Sequence, residues 1–248
     1  MFDGETRVAY PISWILESTI VSEFLQSRST SEDELLIADF ASGEHDRVPS
    51  FFLRVLRHTL PSRPERRWLV YCIDVHALRL DSLLGKLEEQ SLLSDARVIL
   101  ASLASMRQKA VMRPGLEEFL QEHPSSQNDL DRILLSNGYV PADCFDLGIL
   151  NNDVVGYLHE YYTEYGDAEA SLRGVHETMK AGGLLVVTMP CSLYPLDNVG
   201  VLERIGFTFI AGVDIETETG KRTYHDDPPI PNSLSQLGHY SFLIFGKA

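Results

Sequence analysis

Short apolar runs alternate along the chain with longer stretches in which apolar residues recur every three or four positions. The runs 35–39 (LLIAD), 68–73 (WLVYCI), 96–103 (ARVILASL), 145–150 (FDLGIL) and 184–189 (LLVVTM) are bounded by turn residues and apolar on both faces. Each reads as a buried strand, although the third could equally begin a helix. Between them, 49–60 carries Phe51, Phe52, Val55, Leu56 and Thr59 at helical spacing, with Pro49 in the first turn, where a proline is tolerated. Residues 78–93 repeat the helical pattern, and so do 168–180, which Gly182-Gly183 is expected to close. Strands buried on both faces need helices on both faces, so the pattern predicts an α/β fold with a mainly parallel sheet.

The two ends depart from this alternation. Residues 1–26 place Ile12, Ile15, Leu16, Ile20, Val21, Phe24 and Leu25 near one helical stripe, and 27–34 (SRSTSEDE) reads as a polar turn. Toward the C-terminus, a helix over 198–205 stops at Gly206, and 207–215 and 240–245 (YSFLIF) read as strands. With no helix between them, they suggest an antiparallel pair at one edge. Two connections are long. Residues 105–143 contain helix-like pieces at 114–122 and 128–137, and 216–238 reads as an exposed hairpin arm or a mobile loop. Insertions of the first kind are usually functional or a lid.

Charge narrows the range of functions. With 21 Lys plus Arg against 36 Asp plus Glu, the net charge is 21 − 36 = −15. A chain of that balance repels a polyanion, so direct nucleic-acid binding is not expected. The basic run 63–67 is too short to reverse this. No apolar stretch is long enough to span a bilayer, and the acidic N-terminus lacks the features of a secretory signal, so a cytoplasmic protein is expected. Cys72, Cys144 and Cys191 are far apart in apolar surroundings and read as buried thiols.

In an open parallel sheet, ligands bind beyond the carboxyl ends of the strands where the strand order reverses. The loops after the first, second and fourth strands hold the unusual residues. After the first comes Asp39-Phe40-Ala41-Ser42-Gly43, and after the second comes Asp74. These features resemble the class I S-adenosylmethionine-dependent methyltransferases, in which an acidic residue ends the first strand, a glycine-rich turn cradles the methionine part of the cofactor, and an acidic residue after the second strand holds the ribose hydroxyls. Asp39, the Ala41-Ser42-Gly43 turn and Asp74 match those positions, and Lys180-Ala181-Gly182-Gly183 before a fifth strand strengthens the match. Ala41 and His45 stand where the family pattern has glycines.

The resemblance implies a Rossmann-like, seven-stranded sheet with an antiparallel edge strand, the seventh strand inserted next to the fifth. It divides the chain into an N-terminal helical cover (1–34) and a methyltransferase-like domain (35–248) with a helical insertion at about 105–143. It also implies S-adenosylmethionine as cofactor, held by Asp39, Ala41, Ser42, Gly43, Asp74, Val75, Ser102, Leu103, Asn151 and Asn152. A small organic acceptor would face Tyr157, Tyr161 and Tyr162, with His159 as catalytic base and no metal. The N-terminal helix and the insertion would cover that acceptor.

Other readings of the residues are weaker. One glycine and a 31-residue gap between Gly43 and Asp74 disfavour a nicotinamide dinucleotide site, and no GxxxxGK[ST] motif is present. Asp153 with Asp197-Asn198 offers the residue types of a magnesium site at poor spacing. Glu44-His45-Asp46 is better read as capping the helix near Pro49 than as a metal trio. Two further functions stay open: a binding or scaffold protein that keeps the fold without catalysis, and a protein or RNA methyltransferase that needs a partner.

Overall fold

The computed structural model describes residues 15, 18–31, 34–60, 66–160, 167–190, 198–216, 219–227 and 239–248. Its centre is a sheet of nine strands: β1 (Glu34–Phe40), β2 (Arg67–Asp74), β3 (Ala96–Leu100), β4 (Val111–Met112), β5 (Phe145–Leu150), β6 (Met179–Pro190), β7 (Phe207–Glu216), β8 (Arg222–His225) and β9 (His239–Lys247). The spatial order is β4-β3-β2-β1-β5-β6-β9-β7-β8. β3, β2, β1, β5 and β6 are parallel, and β9 runs antiparallel between β6 and β7. The seven inner strands are those expected from the sequence. Two additions raise the count to nine: β4 is a two-residue pairing on β3, and β8 pairs with β7 at the other edge. Within 216–238, β8 forms a hairpin with β7, and 217–218 and 228–238 lie outside the described residues.

Burial explains the order. β5 is buried at all of its positions, and β2 at all but its first. Each large apolar side chain fully removed from water contributes about 1.5–3 kcal/mol. Placing these strands centrally, under helices on both faces, gains the most. The helices are α1 (Thr19–Ser31), α2 (Arg47–Ser50), α3 (Arg57–Thr59), α4 (Ala77–Glu89), α5 (Pro114–Glu122), α6 (Asp129–Asn137), α7 (Val154–Glu160), α8 (Ala168–Thr178) and α9 (Asn198–Ile205). A π-helical stretch, Phe51–Leu56, joins α2 to α3, so 47–59 is continuous helix with Pro49 inside its first turn. The Asn128 side chain caps α6 in a capping box with Asp131, and Gly138 ends the helix in the left-handed conformation.

Three expectations need correction. First, α8 stops at Thr178, and 180–183 is not a helix cap. It is a bulge in β6, because Phe145 pairs with Met179 while Leu147 pairs with Leu184. Gly182 supplies the positive φ of 69° that this bulge needs. Second, α1 continues through the polar residues 27–31. It is held on one side by buried Val21 and Leu25, and at its end by Arg28, which donates to the carbonyls of Ala181 and Gly182. The first 14 residues of the expected N-terminal helix lie outside the described residues. Third, the segment 105–143 sits on the sheet beside β3 and at the amino ends of the strands. Tyr71 and Arg97 bond to Asn128 and Asp131, and Arg67 bonds to the carbonyl of Ser126.

Cys72 and Cys144 are buried free thiols; Cys191 lies outside the described residues. Among the described residues, no helix is long and apolar enough to cross a membrane.

Candidate functional site

The strand order reverses between β1 and β5, and a cleft of about 330 Å³ opens there at the carboxyl ends of the strands. Four loops build it. The loop after β1 contributes Asp39, Ala41, Ser42 and Gly43, and the loop after β2 contributes Asp74 and Val75. Ser102 and Leu103 follow β3, and Asn151 and Asn152 follow β5. Thus all ten residues that the sequence nominates for the cofactor line one cavity. Tyr157 of α7 lines it as well; Tyr161 and Tyr162 lie outside the described residues.

Asp74 organises the base of the cleft. Its Oδ2 accepts the N–H of Gly43 at 2.9 Å and its Oδ1 accepts the N–H of His76 at 2.8 Å. The carboxylate therefore ties the turn after β1 to the loop after β2. Each of its oxygens keeps a free lone pair for a further donor. Gly43 has φ 63°, and a β-carbon there would meet nothing within 4 Å, so the glycine answers a backbone need and faces open space. Ala41 takes φ 58° without being glycine, a strain of about 1–2 kcal/mol held by the surrounding structure. The Ser42 hydroxyl is buried with no partner among the described residues.

Asp39, 2% exposed, lines the same cavity as Asp74. Burial first, and then the Asp74 charge, push its carboxyl well above the usual carboxylate range. Around the cleft stand His45, Arg47, His76 and Arg79, which the sequence reading did not include. Their signal was present, since all four lie within six residues of Asp39-to-Gly43 or Asp74. The expected capping by Asp46 is not observed. It makes no side-chain cap bond to α2, and its carboxylate instead accepts from Ser50 and the Gln90 amide.

The loop after β5 is pinned from below. Asn152 N–H donates to Thr188 Oγ1 at 2.9 Å, Thr188 Oγ1 donates to Asn151 Oδ1 at 2.7 Å, and Asp153 N–H donates to the Thr188 carbonyl at 2.8 Å. Tyr240 adds a bond to Asn152 Oδ1 at 3.2 Å. Asn152 and Asp153 both have positive φ, 73° and 64°, which these residue types tolerate better than most. On the far side, α8 approaches the loop after β3 backbone to backbone. A β-carbon on Gly174 would lie 2.1 Å from the Leu103 carbonyl oxygen.

Two expected elements are not at the cleft. His159 does not line it, because Val154, Tyr157 and Leu158 present that side of α7. At about 100° per residue His159 is turned some 140° away from Val154, and its Nε2 is buried with no partner among the described residues. The 105–143 segment and the described part of α1 contribute no residue to the lining. Among the described residues no cluster of three or more His, Cys, Asp or Glu could hold a metal ion.

Asp153, just before α7, carries a testable charge. It is 2% exposed, and its Oδ1 has no partner among the described residues. Burial pushes its carboxyl up to about 6, opposed by the N–H of Gly156, which favours the anion. A raised folded-state value means that stability is intact below the unfolded value of about 3.9 and is lost as pH rises through about 6. Asp153→Asn keeps the shape and removes the charge. It is expected to raise stability by roughly 1–3 kcal/mol at pH 8 and to leave it nearly unchanged at pH 4. Urea denaturation at the two pH values checks this; an equal change at both would contradict it.

The chain has the fold of the class I S-adenosylmethionine-dependent methyltransferases. It is similar to a solved S-adenosylmethionine-dependent methyltransferase from Aquifex aeolicus, at TM-score 0.51 and 12% identity over 98% of this chain and 93% of that one. It is likewise similar to a candidate sarcosine dimethylglycine methyltransferase from Galdieria sulphuraria, at TM-score 0.54 and 10% identity over 95% and 84% of the two chains. No protein-family model and no curated protein matches the sequence.

Proposed function

We propose that the protein is an S-adenosylmethionine-dependent methyltransferase acting on a small organic acceptor in the cytoplasm. The observation that carries this reading is the shared cleft of Asp39, the 41–43 turn and Asp74, with Asp74 fixed by two backbone N–H groups. The residues suit the cofactor. Asp74 offers two unused acceptor positions to a pair of ribose hydroxyls, and Val75, Ser102 and Leu103 offer a mixed apolar and polar wall to the adenine. The open side of Gly43 and the Ser42 hydroxyl, without a partner among the described residues, suit the methionyl part, together with Asn151 and Asn152. When bound, the cofactor supplies a methyl group on a sulfonium.

What the chain itself provides is placement: holding an acceptor in line with that methyl is worth several kcal/mol of barrier. Tyr157, 43% exposed at the rim, is the described aromatic residue suited to meet the acceptor. A base, where the acceptor needs one, is better sought in His45 or His76 than in His159, since those two imidazoles line the cleft. The cleft volume lies in the range of small-molecule sites, and the net charge of −15 disfavours a polyanionic acceptor.

One observation favours a second reading, a binding protein without methyl transfer: Ala41 and His45 narrow the turn where the family has glycines. Thermal melting with S-adenosylmethionine tests whether the turn still admits the cofactor. At a hundred times the dissociation constant, binding adds about 2.7 kcal/mol, which raises Tm by several degrees. NAD and ATP are expected to leave Tm unchanged. A Tm that S-adenosylmethionine does not move would overturn the proposal. Binding without formation of S-adenosylhomocysteine in the presence of candidate acceptors would favour the second reading.

A further inference from the structure

Two carboxyl groups share the floor of the cleft, and they are not equivalent. Asp74 has a backbone N–H on each oxygen. Asp39 lines the same cavity at 2% exposure, and no described residue donates a hydrogen bond to its carboxyl. A buried carboxylate without donors, next to a second carboxylate, is costly as an anion and stable as a neutral acid. The other groups facing it do not offset this. Cys72, its partner across β1 and β2, is a buried thiol, and Asn151 and Asn152 are uncharged. The nitrogen bases of the cleft, His45, Arg47, His76 and Arg79, are all more exposed than Asp39, where water screens them.

We infer that Asp39 is the charge selector of the cleft, giving up a proton when a net-cationic ligand enters and so favouring a sulfonium ligand over its neutral thioether product. This rests on the cofactor reading above. S-adenosylmethionine and S-adenosylhomocysteine differ by a methyl group and one unit of positive charge. Entry of the former supplies the counter-charge that Asp39 lacks; the acid ionises, and its proton passes to solvent. After transfer the sulfur is neutral, Asp39 takes a proton back, and the hold on the product weakens. The direction in which burial and Asp74 push the Asp39 carboxyl agrees with this geometry.

Calorimetric titration of the full chain with each ligand tests it, in two buffers of different ionisation enthalpy and between about pH 5.5 and 8.5. Below the titration of the empty-site acid, S-adenosylmethionine is expected to bind with release of about one proton, and its Kd to fall up to about tenfold per pH unit. S-adenosylhomocysteine is expected to release distinctly less. In Asp39→Asn the proton release is expected to vanish and the preference for the sulfonium ligand to shrink about tenfold or more. Should Asp39→Asn fail to fold or to bind, the pH dependence of the two wild-type Kd values decides alone. Tight binding of S-adenosylmethionine with no proton release and a flat Kd would overturn the inference and leave the cofactor reading standing. Absence of binding by the wild type would overturn both.

Discussion

Asp131→Ala is expected to cost about 3–5 kcal/mol of folding stability, because it leaves the Arg97 guanidinium buried without its counter-charge. Both side chains are 0% exposed, and their closest contact is 2.8 Å. The remaining Arg97 donors are satisfied by the carbonyls of Leu93, Ser94, Ala96 and Ser126. The Asp131 carboxylate also accepts the Tyr71 hydroxyl at 3.1 Å and the Asn128 N–H at 3.1 Å. One substitution therefore strips a buried charge of its counter-charge, removes one of the two bonds of the Tyr71 hydroxyl and breaks the Asp131 half of the capping box. The network fastens the 105–143 segment to the sheet at the end remote from the cleft. Urea denaturation of the variant gives the loss directly. The paired replacement Arg97→Met with Asp131→Leu is expected to recover most of it, since a buried ion pair contributes little net stability against well-packed apolar side chains. A loss below about 1 kcal/mol in Asp131→Ala would show that the pair is not isolated from water as described.

The same network shows which parts of the structure were legible in the sequence. The inner parallel strands β1, β2, β5 and β6 announce themselves as runs that are mostly apolar on both faces, because burial between two helical layers leaves few polar positions, and β3 carries the same signal in a form that could also begin a helix. Asn128 and Gly138 mark the ends of α6, because a side-chain acceptor and a residue able to take positive φ are what helix ends need. The cofactor-nominated residues gather in one cleft because their loops all follow parallel strands, and that arrangement follows from the alternation of elements alone.

What escaped the reading lacked a periodic signal. β4 spans two residues and gains its identity only from pairing with β3. Gly182-Gly183 reads as a helix stop, and only the pairing with β5 reveals a bulge. The placement of 105–143 away from the cleft depends on the Arg97–Asp131 contact, between residues far apart in sequence. The chemistry of His159 suits a base, whereas its place relative to the cleft depends on the rotational phase of α7, which the strand-end pattern does not fix. His45, Arg47, His76 and Arg79 are adjacent to the nominated residues, yet which side chains turn inward is a property of the folded loops.

Removing Asp74 is the second large effect expected, and it bears on ligand binding. The carboxylate holds the turn after β1 through Gly43 and retains two acceptor positions that suit two ribose hydroxyls. Hydrogen bonds to a charged acceptor contribute about 1.5–3 kcal/mol each, so losing both weakens a nucleoside ligand by about 3 kcal/mol or more, over a hundredfold. Asp74→Asn keeps one acceptor oxygen and most of the turn, and is expected to fall between wild type and Asp74→Ala. Calorimetric titration of S-adenosylmethionine into wild type, Asp74→Asn and Asp74→Ala, each first shown to melt cooperatively, is the most direct test of the cleft as the cofactor site. Affinity that drops in that order supports it; wild-type affinity in Asp74→Ala would contradict it.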